Sequence, residues 1–217
     1  MNVVLLHAFP LDERMWDGQR DVVAGFDVHA PRLYRLGTSV EDWARAVLAQ
    51  VEGELVAVGA SMGGYVALAM ARLAPERVRG LVLVGSRAAA DSPERRRQRD
   101  GIAALLREHG VDAWYRQSGN PAPERWVLEQ SPEDLARAME ALRDRADATD
   151  VVRTYAGPLL LVVGTEDELL PVEEARAIVE SAPDGRLEVI EGAGHFVNLD
   201  ASGRFNTVLR EFLARWT

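Results

Sequence analysis

The chain has 217 residues, 47% of them hydrophobic, which is enough to bury the core of one domain and leaves room for an inserted subdomain. Its net charge of −9 argues against a general affinity for nucleic acid or an anionic membrane, and all 25 basic residues are arginines. The absence of cysteine excludes disulfides, thiolate metal sites and cysteine nucleophiles.

The N-terminus begins with a short apolar run, MNVVLLHAFP. It has no basic region before the run, and the run is too short for a signal peptide. No other apolar stretch is long enough to span a bilayer. We therefore expect a soluble, cytoplasmic protein.

Runs rich in valine and leucine alternate with helical patterns along the chain, which is typical of a parallel sheet covered on both faces. The predicted strands are Val3–Leu6, Phe26–Ala30, Leu55–Val58, Leu81–Val84, Leu159–Val163 and Leu187–Ile190. The predicted core helices are Asp12–Ala24 (helix or long turn), one capped by Ser39, Met62–Leu73, Glu173–Ser181 and Arg204–Trp216. The pattern predicts an α/β fold with a doubly wound, mostly or wholly parallel six-stranded sheet.

One section interrupts this alternation. From Arg87 to Asp150 there is no convincing strand, but amphipathic helical patterns occur, such as Ile102–Glu108 and Asp134–Arg143. We predict that residues 87–150 form a helical lid over the end of the sheet, and that residues 1–86 and 151–217 form the core. The charged run Pro93–Asp100 is interpreted as a solvated helix face.

A single serine lies in the middle of the apolar run LVAVGASMGGYVALAM, from Leu55 to Met70. It belongs to Gly59-Ala60-Ser61-Met62-Gly63, between a predicted strand and a predicted helix, which is the context of a nucleophile elbow. The glycines indicate that the backbone turns sharply and close to its neighbours. A helix N-terminus also favours developing negative charge. We predict that Ser61 is a nucleophile.

A serine nucleophile needs a general base, and the base needs a carboxylate to orient it. His195 follows the last predicted strand in a glycine loop, and Asp167 follows the strand that ends at Val163. The carboxyl ends of parallel strands meet at one edge of a sheet, so we predict that His195 is the base and Asp167 the acid. Glu166 or Glu168 is the alternative acid. The remaining histidines are interpreted as structural or incidental: His7, His29 and His109.

The loop His7-Ala8-Phe9-Pro10 directly follows the first strand. An oxyanion hole needs two donors that are in place before the negative charge develops. We assign them to the backbone N–H groups of Phe9 and Met62. His7 is then expected to fasten the loop rather than to serve as a second base.

Five segments in chain order resemble the α/β-hydrolase superfamily over essentially the whole chain: HAFP, GASMGGYVALAMA, APERVRGLVLV, LLLVVGTEDELLP and IEGAGHFVNLD. The closest likeness is to small bacterial esterases and enol-lactonase-like hydrolases. The resemblance implies an acyl-enzyme mechanism without a metal or cofactor. Serine at the elbow argues against the haloalkane dehalogenases, which have an aspartate there. Ala8 departs from the usual glycine of the family.

The resemblance also implies a reduced sheet, because the chain begins at what is normally the third strand of the family. The segment Phe26–Leu33 would then lie at an edge of the sheet.

The leading functional prediction is a serine hydrolase of small to medium carboxylic esters. The alternatives are a 3-oxoadipate enol-lactonase-like hydrolase, a C–C bond hydrolase or lyase, and an inactive fold that binds a ligand. The expected partner is a small-molecule ester or lactone, with no nucleic acid, membrane or metal. Arg87 either grips a substrate carboxylate or forms a surface or lid ion pair. Scattered side chains of this kind more often serve ordinary packing, and the other candidate pocket residues are Phe9, Trp114, Tyr115, Trp126, Met139 and Phe196.

Overall fold

The computed structural model describes all 217 residues and confirms the predicted six-stranded parallel sheet. The strands are β1 Asn2–Leu6, β2 Asp27–His29, β3 Leu55–Ala60, β4 Val78–Val84, β5 Leu159–Gly164 and β6 Gly185–Ile190. Their order across the sheet is β2-β1-β3-β4-β5-β6, and every neighbouring pair is parallel. All residues of β3 and β5 are buried, which explains their uninterrupted apolar sequences.

The predicted edge segment does form an edge strand, but only three of its residues pair with β1. Pro31 follows β2 closely and has no N–H to donate, which explains why the strand ends early. In contrast, β3 continues to Ala60 because its end pairs with both neighbours: Gly59 lies opposite Leu6 and Leu83. This extension carries the backbone directly into the predicted elbow.

The helices cover both faces of the sheet. They are α1 Arg20–Val23, α2 Val40–Gln50, α3 Met62–Leu73, α4 Pro93–Ser118, α5 Glu124–Leu128, α6 Pro132–Asp144, α7 Thr149–Thr154, α8 Val172–Glu180, α9 Val197–Asp200 and α10 Ser202–Leu213. Helices α2, α3, α7 and α8 pack in sequence side by side, and α1 packs against α10. The chain moves across the sheet in one direction from β1 to β2, and in the opposite direction from β2 through β3, β4 and β5 to β6. Because the crossovers are right-handed, these two groups of helices lie on opposite faces of the sheet. The predicted helix Asp12–Ala24 is a 3₁₀ segment followed by α1.

The helical insertion lies between β4 and β5, as predicted, and contains α4, α5 and α6. The two helical patterns identified in the sequence fall inside α4 and α6, which pack against each other. Helix α4 is broken at Gly110, whose φ of 79° is outside the helical range. Helix α7 begins at Thr149, just inside residues 87–150, but packs against α3 and α8 of the core. None of the helices has the length and apolar character needed to cross a membrane.

Candidate active site

A cavity of about 570 Å³ opens at the carboxyl ends of the strands. The strand order reverses between β1 and β3, and ligands of open α/β sheets bind at such a switch point. Ser61 and His195 both line this cavity, together with residues of the helical insertion. No group of three or more acidic, histidine or cysteine side chains is arranged to hold a metal ion.

Ser61 lies at the turn between β3 and α3 in a strained conformation. Its φ of 47° and ψ of −107° make it the only non-glycine residue with a positive φ. Such a conformation costs on the order of 1–3 kcal/mol and persists only where the surroundings hold it in place. The Ser61 amide donates to the Val84 carbonyl at 2.7 Å, and the Ser86 hydroxyl lies 3.1 Å from the Ser61 and Val84 carbonyl oxygens. The end of β4 therefore braces the elbow.

The glycines around Ser61 are required by crowding. A Cβ on Gly59 would lie 2.3 Å from the carbonyl oxygen of Gly63, and one on Gly63 would lie 2.0 Å from that of Leu6. A Cβ on Gly64 would lie 2.0 Å from Ser86 Oγ. These three glycines have φ values that any residue can adopt. They let the first turn of α3 approach β1 and β3 closely, as the sequence predicted.

Replacing Gly63 by alanine is expected to lower the free energy of unfolding by about 3 kcal/mol, because the new methyl group overlaps backbone that cannot rotate away. Gly101→Ala is the matched control, since Gly101 lies within α4 with open space around its Cβ position. That change is expected to raise the same free energy by about 1 kcal/mol. Urea unfolding of both variants measures the two effects, and equal stability of Gly63→Ala and wild type would contradict the crowding argument.

His195 and Asp167 form a buried pair. His195 Nδ1 lies 3.0 Å from both carboxylate oxygens of Asp167, whose side chain is fully buried. Oδ1 of Asp167 also accepts the backbone N–H groups of Leu169 and Leu170, at 2.8 and 3.0 Å. A ring that donates its Nδ1 proton to this carboxylate keeps Nε2 as its basic nitrogen. The alternative acids, Glu166 and Glu168, are exposed at the cavity mouth and make no contact with the ring nitrogens.

The hydroxyl of Ser61 makes no hydrogen bond to His195 or to another side chain. Both residues face the same cavity, at the ends of β3 and β6. Hydrogen bonds between a nucleophile and its base commonly tighten only when substrate is bound.

Gly85 packs against the Asp167–His195 pair, and the sequence analysis did not identify it as a site residue. Its φ is 58°, and a Cβ there would lie 3.0 Å from Asp167 Oδ2 and 3.1 Å from His195 Nδ1. The loops after β5 and β6 approach just as closely, since a Cβ on Gly164 would lie 1.9 Å from the Ala193 carbonyl oxygen. The sequence does place a glycine directly after a strand of the central sheet, and this position could have indicated a close approach to the site.

The predicted oxyanion donors, the amides of Phe9 and Met62, have no hydrogen-bond partner within the protein. Met62 is the first residue of α3, and the Phe9 loop follows β1, which pairs directly with β3. Ala8, which replaces the family's glycine, is fully buried and its N–H points to Met15 Sδ at 3.1 Å. The loop therefore accommodates the extra methyl group and leaves the Phe9 amide free.

His7 fastens this loop. Its Nε2 accepts the Leu33 N–H at 2.9 Å, and its Nδ1 lies 3.1 Å from the Ala8 carbonyl oxygen. Complete burial lowers the pKa of His7 from 6.5 to about 4. The ring is therefore neutral in the folded protein at neutral pH, with both nitrogens engaged.

We expect His7 to make stability depend on pH. The unfolded chain protonates this ring below about pH 6.5 and the folded protein only below about pH 4, so folding stability falls as the pH decreases between these values, by up to about 3 kcal/mol. Urea unfolding from about pH 7.5 to about pH 4.5 should show a flatter profile for His7→Gln, which cannot titrate. The carboxylate of Asp12, whose pKa is lowered to about 2, contributes only at lower pH. Identical slopes in the two proteins would contradict this expectation.

Five of the seven candidate substrate-pocket residues line the cavity: Phe9, Arg87, Trp114, Met139 and Phe196. Trp126 is not part of the cavity lining, and the guanidinium carbons of Arg14 and Arg125 lie 5.8 and 5.4 Å from its ring centroid. Tyr115 is likewise absent from the lining, and its hydroxyl donates to the Ala122 carbonyl. Phe9 lines the cavity and packs edge to face on Trp114.

Arg87 lies at the cavity but already has a carboxylate partner. Its Nε and Nη2 donate to the two oxygens of Glu174, at 2.5 and 2.8 Å. Glu174 is part of α8, so the ion pair ties the start of the insertion to the core. Of the two roles considered for Arg87, the structure favours the ion pair.

The interpretation of Pro93–Asp100 as a solvated face is wrong for one side of α4. That side lines the cavity through Arg95, Gln98, Arg99 and Ile102. Their spacing of three and four residues, which places them on one helix face, was visible in the sequence. The sequence could not show that this face points inward.

The profile of the alpha/beta hydrolase family matches residues 3–208. A pimeloyl-[acyl-carrier protein] methyl ester esterase from Aromatoleum aromaticum is 30% identical over 89% of this chain and 90% of that protein. A thermophilic esterase from Thermogutta terrifontis superimposes with a TM-score of 0.90 and 31% identity, covering 99% of this chain and 90% of that one. An enol-lactonase from Burkholderia xenovorans shares the fold, with a TM-score of 0.80 and 21% identity over 98% and 91% of the two chains.

Proposed function

Because the chain belongs to the alpha/beta hydrolase family, we propose that it is a serine hydrolase that cleaves small to medium carboxylic esters through an acyl-enzyme. The observation that carries the proposal is the buried Asp167–His195 pair, which faces the same cavity as the strained Ser61. The relatives from Aromatoleum aromaticum and Thermogutta terrifontis, 30% and 31% identical to this chain, are esterases, which supports an ester as the substrate.

In the first half of the proposed reaction, Nε2 of His195 accepts the proton of Ser61 as Oγ attacks the ester carbonyl carbon. The carbonyl oxygen becomes negatively charged and accepts hydrogen bonds from the amides of Phe9 and Met62. The positive end of the α3 dipole adds to this stabilisation. The imidazolium then donates its proton to the leaving alcohol, and the acyl group remains on Ser61.

In the second half, water takes the place of the alcohol. His195 accepts a proton from the water as its oxygen attacks the acyl carbon, and then returns that proton to Ser61 Oγ as the acid leaves. Asp167 keeps the Nδ1 proton in place and stabilises the imidazolium in both halves. Its buried carboxylate is held by two backbone amides, so it needs no rearrangement during the reaction.

We propose that the helical insertion, residues 87–150, serves as the lid of this site. Its contribution to the lining includes apolar side chains that suit an acyl or alcohol group, namely Ile102, Trp114, Met139 and Leu142. Apolar side chains next to the reacting ester exclude water from its surroundings, which strengthens the electrostatic interactions with the oxyanion.

The proposal is tested by hydrolysis of p-nitrophenyl esters from acetate through decanoate, with a simple lactone added to the panel. We expect turnover that peaks at one acyl length, because the cavity is bounded by the lid. Absence of turnover on every substrate, by a protein whose circular dichroism and unfolding are normal, would contradict the ester-hydrolase proposal.

A lactone is an internal ester, so the same groups could open it, and lactone turnover exceeding that of all linear esters would favour the lactonase alternative. Cleavage of C–C substrates in place of esters would favour a C–C hydrolase. An inactive ligand-binding fold is disfavoured because Ser61 and His195 line one cavity and Asp167 is hydrogen-bonded to His195.

A further inference from the structure

Arg95 differs from the other arginines at the cavity. It lines the cavity and is half-buried, yet its guanidinium makes no ion pair and donates no hydrogen bond within the protein. The neighbouring cations have carboxylate partners: Arg87 pairs with Glu174, and Arg99 shares the buried carboxylate of Asp91 with Arg145. Arg95 is therefore the cavity cation with no anion of its own.

The position of Arg95 makes its unpaired guanidinium energetically unfavourable in the ligand-free protein. It lies in the first turn of α4, three residues after the cap Ser92, where the helix dipole disfavours a positive charge. Burial, and then repulsion from Arg87, lower the pKa of Arg95. A guanidinium nevertheless stays protonated at neutral pH, so Arg95 carries a positive charge that no carboxylate of the protein contacts. A feature that breaks the local rules without compensation is expected at functional sites.

The reacting groups and Arg95 reach the same cavity from different elements. Ser61 and His195 lie at the ends of β3 and β6, and Arg95 lies on the lid helix α4. Apolar side chains such as Ile102 and Met139 contribute to the same walls. The exposed carboxylates of Glu166 and Glu168 at the mouth, with a net charge of −9, make the protein as a whole unattractive to anions. The positive charge acts locally, inside the cavity.

We propose that Arg95 binds a carboxylate of the substrate, so that the preferred substrates are half-esters of dicarboxylic acids, with one free carboxylate and one scissile ester. The inference rests on the proposed ester hydrolysis and narrows its substrate class. The reaction converts the half-ester and water into the dicarboxylic acid and the alcohol. A planar guanidinium can donate two parallel hydrogen bonds to a carboxylate, which gives both affinity and orientation. This assigns to Arg95 the role that the sequence had suggested for Arg87.

The test compares monomethyl with dimethyl esters of the same acids, from succinic through suberic acid. The quantity measured is the ratio of kcat/KM for the half-ester to kcat/KM for the diester. The value for the diester is halved, because the diester carries two equivalent ester groups. The ratio then reports the contribution of the free carboxylate. We expect the wild type to prefer the half-ester at one chain length by about tenfold or more, since the diester cannot accept the charge-assisted hydrogen bonds of the guanidinium. Arg95→Gln should lower this ratio at least about tenfold, mainly through KM, and Arg95→Lys should lower it less.

Arg97→Gln is the matched control. Arg97 lies on the same helix two residues away, is exposed, forms no ion pair, and does not line the cavity. We expect it to keep the wild-type ratio. An equal ratio in wild type and Arg95→Gln at every chain length, while the diesters are hydrolysed, would overturn the inference and leave the ester-hydrolase proposal standing.

Failure of the proposed function gives a different result. If the wild type hydrolyses no diester and no p-nitrophenyl ester, calorimetric titration with glutarate and adipate tests the anion site directly. Saturable binding to wild type and Arg97→Gln that is lost in Arg95→Gln would support the inference without the reaction. No binding to the wild type would overturn it.

Discussion

Replacing Ser61 by alanine is expected to lower kcat/KM roughly 10⁴- to 10⁶-fold on every ester that the wild type cleaves. The proposed acyl-enzyme cannot form without Oγ, and nothing else in the cavity takes its place: the chain has no cysteine, and Ser118, the other serine of the lining, is on the lid helix. A small residual rate from the oxyanion donors and binding alone is compatible with the proposal.

The matched control is Ser181→Ala, since Ser181 is exposed at the end of α8 and its hydroxyl donates only to the Ile178 carbonyl. Its rates should equal those of the wild type. An irreversible phosphonate inhibitor should add its mass to the Ser61 peptide of the wild type and not to Ser61→Ala. A variant that folds normally, carries no Oγ and still turns over within tenfold of the wild type would exclude Ser61 as the nucleophile.

The sheet and the positions of Ser61, Asp167 and His195 were predictable because both depend on short local sequence patterns. A strand buried on both faces must be apolar throughout, so β3 and β5 are visible as continuous Val/Leu runs. Ser61, Asp167 and His195 each follow such a strand within a few residues, and parallel strands bring their carboxyl ends together. Strand positions therefore fix the approximate positions of the three residues.

The lid side of the cavity was not predictable in the same way, because it depends on how α4, α5 and α6 pack on the core. Helical spacing shows that Arg95 and Ile102 share a face, but an arginine-rich face is usually solvated, and the sequence does not show that this one points inward. Trp126 illustrates the opposite case, an aromatic side chain that packs on two arginines outside the cavity. The partner of Arg87 is 87 residues away, so only the tertiary structure identifies it.

Asp167→Asn is expected to reduce kcat/KM by roughly 10⁴-fold even though the side chain keeps its shape. Oδ1 of Asp167 accepts the amides of Leu169 and Leu170, and an asparagine can accept them only with its carbonyl oxygen. Its NH₂ group is then placed at the Oδ2 position, 3.0 Å from Nδ1 of His195. Because the NH₂ group can only donate, it favours the tautomer in which Nδ1 accepts a hydrogen bond and the ring proton lies on Nε2. The nitrogen that faces the serine can then no longer accept its proton.

The two other acids of the same loop provide the comparison. Glu166→Gln and Glu168→Gln remove charges that are exposed at the cavity mouth and do not touch the ring nitrogens, so each should change kcat/KM by less than about tenfold. Unfolding midpoints of the three variants separate a loss of activity from a loss of fold. A larger loss in Glu166→Gln or Glu168→Gln than in Asp167→Asn would transfer the role of the acid to that glutamate. We instead expect Asp167→Asn to cause the largest loss of the three variants. The two backbone amides fix the position of the Asp167 carboxylate, and they also determine which atom an asparagine would present to His195.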